Sequence, residues 1–275
     1  SINAKNGEAM RRIDKLMRAF LTADLNRPPQ TPYLSGVDLQ RMQGFYQPDA
    51  PRQEILRWLD LITGTIRVTS DGDRLLITPM FGTRSIWRSL SVDLLRKENG
   101  IAPTLAFVRS QDDEALLQGP GVGTLKRVPA AVAWSRLLLI GSSTALVFSA
   151  LVFALIWLPR KLFTQAHLPG ISQRVWPALA SAALLIGFGL LQAGQASAPQ
   201  LLGNLTLYSL GFYVFTWLFA ATTVIAGYNL LRSVRQRHNG NRFVWWHSCA
   251  VSTACLILLA YLGYYGLKGL QTWSY

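Results

Sequence analysis

WSRLLLIGSSTALVFSALVFALIWL, Trp134–Leu158, is the stretch on which the fold turns. Arg136 is its single charge, and no carboxylate interrupts it. A helix rises 1.5 Å per residue, so a hydrocarbon core of about 30 Å is crossed by roughly 20 apolar residues. This run is long enough. Three more follow it, Val175–Gln195, Leu201–Leu231 and Phe243–Leu267. The third of the four is the longest and is expected to tilt or to project beyond the lipid.

Working outward, the charge distribution divides the chain. Half of the 275 residues are hydrophobic and 15% are charged, too apolar for an ordinary soluble domain and too charged for membrane throughout. Every acidic residue lies between Glu8 and Glu114, whereas basic residues continue to Lys268. A net charge of +13 would ordinarily point to nucleic acid. Here the excess sits between apolar runs, so it reads as topology information and nucleic acid is not an expected partner.

The connection Pro159–Arg174 holds Arg160, Lys161 and Arg174, and Arg232–Arg242 holds four arginines. Ala196–Gln200 has no charge, and the C-terminal tail has Lys268 alone. Positive loops stay in the cytoplasm, which puts the soluble N-terminal region and the C-terminus outside. Lys126, Arg127 and Arg136 pull weakly the other way. Trp157, Trp176, Tyr228, Trp245 and Trp246 mark the inner boundary; Trp134, Tyr264, Tyr265 and Trp273 mark the outer. The expected location is a bacterial inner (plasma) membrane, multi-pass. Export of the soluble region calls for a signal, and none precedes Trp134. A signal peptide and a further domain are therefore expected upstream of Ser1.

The soluble region reads as two pieces. Met10, Ile13, Leu16, Met17, Phe20 and Leu21 recur at helical spacing after Asn6, a fitting N-cap, and predict one amphipathic helix. Pro28-Pro29 ends it, and Asn26–Ser35 reads as an extended linker. From Gly36 to about Pro129 the period becomes two. A short helix is expected over Arg52–Ile62. Thr65–Thr69 and Arg74–Thr78 form a hairpin around Asp71-Gly72. Further strands are expected at 85–90, 94–98, 104–109, 115–118 and 124–128, with turns at Gly82, Gly100, Asp112 and Gly121. Seven or so short strands predict a small antiparallel domain, barrel-like or a curled sheet. The fold class is thus mixed: an N-terminal amphipathic helix, a small β domain, and an all-α four-helix transmembrane bundle. The expected boundaries are 1–27, 28–130 and 131–275.

That layout resembles a known family. Ala19–Leu25 closing an amphipathic helix, a Pro-rich linker, Gly44-Phe45-Tyr46 with Pro51-Arg52, the Ile66-Arg67-Val68 to Ile77-Thr78-Pro79 hairpin and a terminal membrane segment resemble the C-terminal part of membrane-anchored serine hydrolases of the class C β-lactamase and penicillin-binding-protein-like superfamily. The resemblance implies that residues 1–27 are the closing strand and helix of the hydrolase domain, and that the nucleophile lies upstream. It implies a non-catalytic anchor whose partners are the bilayer and that upstream domain. A non-enzymatic module binding a partner membrane protein or a lipid is the other reading.

The chain itself carries no catalytic set. No serine has Lys three positions on, and Tyr-x-Asn is missing. Lys5-Asn6-Gly7 opens a helix and lacks the hydroxyl of Lys-Thr-Gly. Gly119–Lys126 is glycine-rich without the Gly-Lys-Ser/Thr ending of a phosphate loop. His167, His238 and His247 are scattered, and Cys249 and Cys255 point apart on a helix, so no metal or cofactor is expected. Asn204-Leu205-Thr206 matches a glycosylation sequon but falls inside an expected span. Transport or proton relay calls for ionisable residues deep in the spans, which only His247 approaches, near one end, and Ser181, Gly187, Gly189, Gly203 and Gly211 favour close helix packing. The aromatic third span, with Phe212, Trp217 and Phe219 among others, reads as packing or lipid contact.

Overall fold

A computed structural model describes residues 12–13, 16–17, 20–21, 32–34, 36, 38–49, 57–100, 103–110, 114–119, 123–164, 171–195, 197–235, 242–267, 269 and 272. Eight strands are found among them: β1 (Gly44–Pro48), β2 (Ile66–Asp71), β3 (Arg74–Pro79), β4 (Ser85–Ser89), β5 (Leu94–Lys97), β6 (Leu105–Arg109), β7 (Ala115–Gly119) and β8 (Gly123–Val128). Each pairs antiparallel with the next, and β8 returns to β1, with Phe45 opposite Val128 and Pro48 opposite Leu125. The domain is a closed barrel rather than a curled sheet. Closure leaves no strand with an unpaired edge.

Seven of the strands fall where period two placed them. The eighth, β1, closes the barrel although glycine and proline at its ends break the alternation. At the hairpin, Asp71 pairs with Arg74, so the two-residue turn is Gly72-Asp73, one residue later than expected. Gly72 takes φ 61°, which a side chain disfavours and which matches the twist of the strands. The expected turns at Asp112 and Gly121 lie outside the described residues.

Inward-facing side chains fill the barrel. Tyr46, Leu75, Leu95 and Leu117 are fully buried, with Val68, Leu105 and Leu125 close behind. A single 3-10 turn, Gln40–Met42, plugs one end with Met42. The Tyr46 hydroxyl donates to the Met42 carbonyl at 2.8 Å and ties that plug down.

Among the described residues four helices are long and apolar enough to cross a membrane. With α1 (Arg57–Thr63) between β1 and β2, they are α2 (Ala130–Thr164), α3 (Ile171–Gln195), α5 (Leu207–Arg235) and α6 (Arg242–Tyr264), and a one-turn α4 (Ala198–Leu201) precedes α5. The protein is a multi-pass membrane protein by this measure. α2, not the third span, is the longest, at 35 residues. It runs through Pro159, so Arg160 and Lys161 sit on its last turns rather than in a loop.

The third span begins later than expected. Ser209 Oγ accepts from the Thr206 N–H at 2.8 Å and the Ser209 N–H reaches Thr206 Oγ1 at 3.4 Å, a reciprocal cap that starts α5. The sequon at Asn204 consequently lies before the span, exposed, and not within it.

Small residues let the helices approach within a bundle core that also holds Phe212, Phe219, Leu191 and Leu258. Ala180, Ser181 and Ala183 on α3 are buried, and a Cβ on Gly187 would stand 3.4 Å from Phe215 of α5. Gly211 lets Leu190 in, whereas Gly189 faces open space and Gly203 lies ahead of α5. Of the third-span aromatics, Phe212 and Phe219 pack inside and Trp217 is exposed.

The N-terminal helix falls largely outside the described residues. Of it, Ile13, Leu16, Met17, Phe20 and Leu21 have helical backbone and exposed side chains. Lys5–Gly7, Pro28-Pro29 and Pro51-Arg52 lie outside as well.

Candidate functional site at the junction of barrel and bundle

Strand β1 alternates between two environments. Tyr46 points into the barrel, while Phe45 and Gln47 face outward to α2. Phe45 meets Trp134 edge-on, ring centres 6.1 Å apart. Gln47, 4% exposed, uses both ends of its amide: Nε2 donates to Thr65 Oγ1 at 3.1 Å and to the Leu61 carbonyl at 3.3 Å, and Oε1 accepts from Arg136 Nη1 at 2.8 Å. A buried amide so satisfied is a fixed part rather than a cost.

Helix α1 completes the joint. Trp58 packs on Phe188 of α3 at 5.1 Å, and its carbonyl accepts the Tyr261 hydroxyl of α6 at 2.9 Å. Ile62 joins the same apolar cluster as the bundle core. Barrel and bundle therefore meet through packed side chains, not through a bare linker.

Two open grooves flank the crossing from β8 into α2. One, about 630 Å³, lies between the barrel and the ends of α2 and α6, and Arg57, Lys126, Arg136, Asp49, Tyr264 and Tyr265 are among its walls. The other, about 710 Å³, runs past Phe45, Arg67, Lys126, Arg127 and Glu114. Lys126 Nζ contacts Glu114 at 2.5 Å.

On the barrel wall, residues 32–34 are docked. The Leu34 N–H donates to the Ser89 carbonyl at 2.9 Å. The Tyr33 ring lies beneath the guanidinium groups of Arg96, at 4.4 Å, and Arg88, at 5.1 Å. Arg88 in turn meets Glu98 at 3.0 Å. The strap leads toward the N-terminal segment from a defined point on β4 and β5.

The barrel lumen holds side chains and leaves no chamber for a ligand among the described residues. Burial pushes the Tyr46 phenol up to about 12, against the opposing pull of Arg127. Within the bundle, His247 Nε2 lies 3.0 Å from Ser149 Oγ, between the rings of Phe153 and Phe243. Ser149 also donates to the Leu146 carbonyl at 2.7 Å, and the chain has no carboxylate after Glu114 to orient the imidazole. The pair can join α2 to α6; it lacks the third member of a catalytic triad.

Cys249 and Cys255 are both free. No group of three metal-ligating side chains occurs among the described residues, outside which His167 and His238 lie. The Gln47–Arg136 pair was not legible as a site: Arg136 registered only as a charge near a span, and nothing in sequence ties it to a residue 89 positions earlier. Compared with known proteins, the chain matches no family model, no curated protein and no solved structure.

Proposed function

We propose that this chain is the non-catalytic membrane anchor and accessory module of an exported serine hydrolase of the class C β-lactamase and penicillin-binding-protein-like superfamily. Its active site would lie upstream of Ser1. The barrel would stand outside a bacterial inner membrane as a platform, holding the hydrolase close to lipid-linked or wall-linked substrates.

The observation that carries this reading is the joint. Gln47–Arg136 and Phe45–Trp134 to α2, Trp58–Phe188 to α3 and Trp58–Tyr261 to α6 couple the barrel end to three of the four spans, so whatever the barrel carries is held at a set height above the lipid. Two further features agree with it. Tyr33 fixes residues 32–34 to the barrel, and the side chains of Ile13, Leu16, Met17, Phe20 and Leu21 are exposed, as a face made for another domain would be. The chain has no Ser-x-x-Lys of its own.

The test is to label the whole encoded protein with a fluorescent β-lactam or a fluorophosphonate. Label is expected on a single serine upstream of Ser1, within Ser-x-x-Lys, and nowhere in residues 1–275. Stoichiometric labelling of a serine inside this chain, or an upstream sequence without that motif, would contradict the reading.

A further inference from the structure

An arginine at a membrane boundary needs an anion or water. Arg136 lies two residues beyond Trp134, on a turn of α2 that also exposes Leu138 and Leu139. Its hydrogen-bond partner is the neutral amide of Gln47, and among the described residues no carboxylate pairs with it. A guanidinium has five N–H donors in a planar fork, and one Nη serves Gln47. The anchor behind it is rigid, because Gln47 is itself locked by Thr65 and Leu61. Arg136 is thus held in place with donors to spare, on the wall of a cleft that it shares with Arg57 and Lys126.

The cleft is placed for one kind of guest. Its floor is the outer end of the bundle, where Tyr264 and Tyr265 give the aromatic rim that marks the level of lipid headgroups. Among the described residues its walls carry one carboxylate, Asp49, against Arg57, Lys126 and Arg136, and Glu114 meets Lys126 from the side. Backed by low-dielectric helix ends, this excess favours an anion that presents two or three oxygens in one plane or fork. A phosphodiester does so.

We propose that the cleft between the barrel and the ends of α2 and α6 binds the phosphodiester of a bilayer lipid in the leaflet on the barrel's side. Arg136 makes the central contact, Arg57 and Lys126 supply flanking charge, and Tyr264 and Tyr265 border the acyl chains. The bound lipid becomes a third member of the joint, wedged between platform and spans. This stands apart from the assignment of the upstream domain and holds whatever that domain does.

The test is native mass spectrometry of the full chain in detergent, titrated with phosphatidylglycerol. One lipid per chain should be retained, and Arg136→Gln should weaken retention by about tenfold, the worth of a charge-assisted fork. Arg136→Lys keeps the charge without the fork and should fall between the two. Inorganic phosphate at equal concentration should not displace the lipid, because it has no chains for the membrane side of the cleft. If Arg136→Gln does not fold, the double variant Arg57→Gln/Lys126→Gln carries the same test through charge alone, and retention should drop. Unchanged retention in the folded variants would overturn the proposal. Equal displacement by inorganic phosphate would overturn the lipid as its occupant.

Discussion

The barrel and the bundle solve the same problem in opposite ways. The barrel buries large side chains, Tyr46, Trp87, Phe107 and a set of leucines, and leaves its outer wall to Arg67, Arg74, Arg109 and Lys97. The bundle buries large side chains too, Phe212, Phe219 and Leu258 among them, but sets small ones, Ala180, Ser181, Ala183 and Ala254, between its helices and turns Leu138, Phe148, Leu155 and Phe163 outward. In water, moving a leucine inward removes apolar surface from solvent, at roughly 25 cal/mol per Å². In lipid there is no such gain. Close approach of backbones, dispersion and a few internal hydrogen bonds hold the helices together instead. The two cores differ because their solvents differ.

That contrast can be broken most strongly by truncating a leucine on each side. Leu117 is fully buried in the barrel, so Leu117→Ala should cost about 2–5 kcal/mol through lost burial and an unfilled cavity. Leu155 is 75% exposed on α2, and Leu155→Ala should change stability by less than about 0.5 kcal/mol. Chemical denaturation followed by far-ultraviolet circular dichroism, which registers loss of both strands and helices, separates them. Comparable losses in the two variants would mean that Leu155 is covered by something other than lipid.

A smaller effect sharpens the barrel side of the comparison. Tyr46 has an ordinary phenol value of 10.0, and burial raises it to about 12 in the fold. The folded state therefore holds this proton more tightly than the unfolded chain. Stability from this source is complete below pH 10 and is lost as the pH climbs through about 12, a change of about 2–3 kcal/mol. Denaturation midpoints measured across that window should fall in the wild type. They should fall less in Tyr46→Phe, which has no proton to lose. Identical alkaline profiles would show that the hydroxyl is not the group responsible.

Legibility followed the same division. Four spans were readable because length and the missing carboxylates are properties of composition along the chain, independent of packing. Seven strands were readable because one wetted face gives alternation. What escaped was set by contacts distant in sequence. β1 ends in glycine and proline, and its pairing with β2 on one side and β8 on the other makes it a strand. The start of α5 depends on a Thr206–Ser209 cap inside an apolar run that looks continuous. The junction itself rests on Gln47 meeting Arg136 and on Trp58 meeting Tyr261. Each is an ordinary residue until the fold brings its partner.

An exported platform requires the barrel to lie outside the membrane. Arg160, Lys161, Arg174, Arg232 and Arg242 gather at the end of the bundle away from the barrel, and basic clusters resist translocation. Single cysteines at four exposed positions, Asp73 in the β2–β3 turn, Asn204 before α5, Ser172 at the start of α3 and Val234 at the end of α5, should be placed in a background with Cys249 and Cys255 replaced. Intact cells are then treated with an impermeant maleimide. Asp73→Cys and Asn204→Cys should label, while Ser172→Cys and Val234→Cys should label only after the cells are opened. Labelling of positions 172 or 234 from outside, with 73 protected, would put the barrel in the cytoplasm and contradict an exported platform.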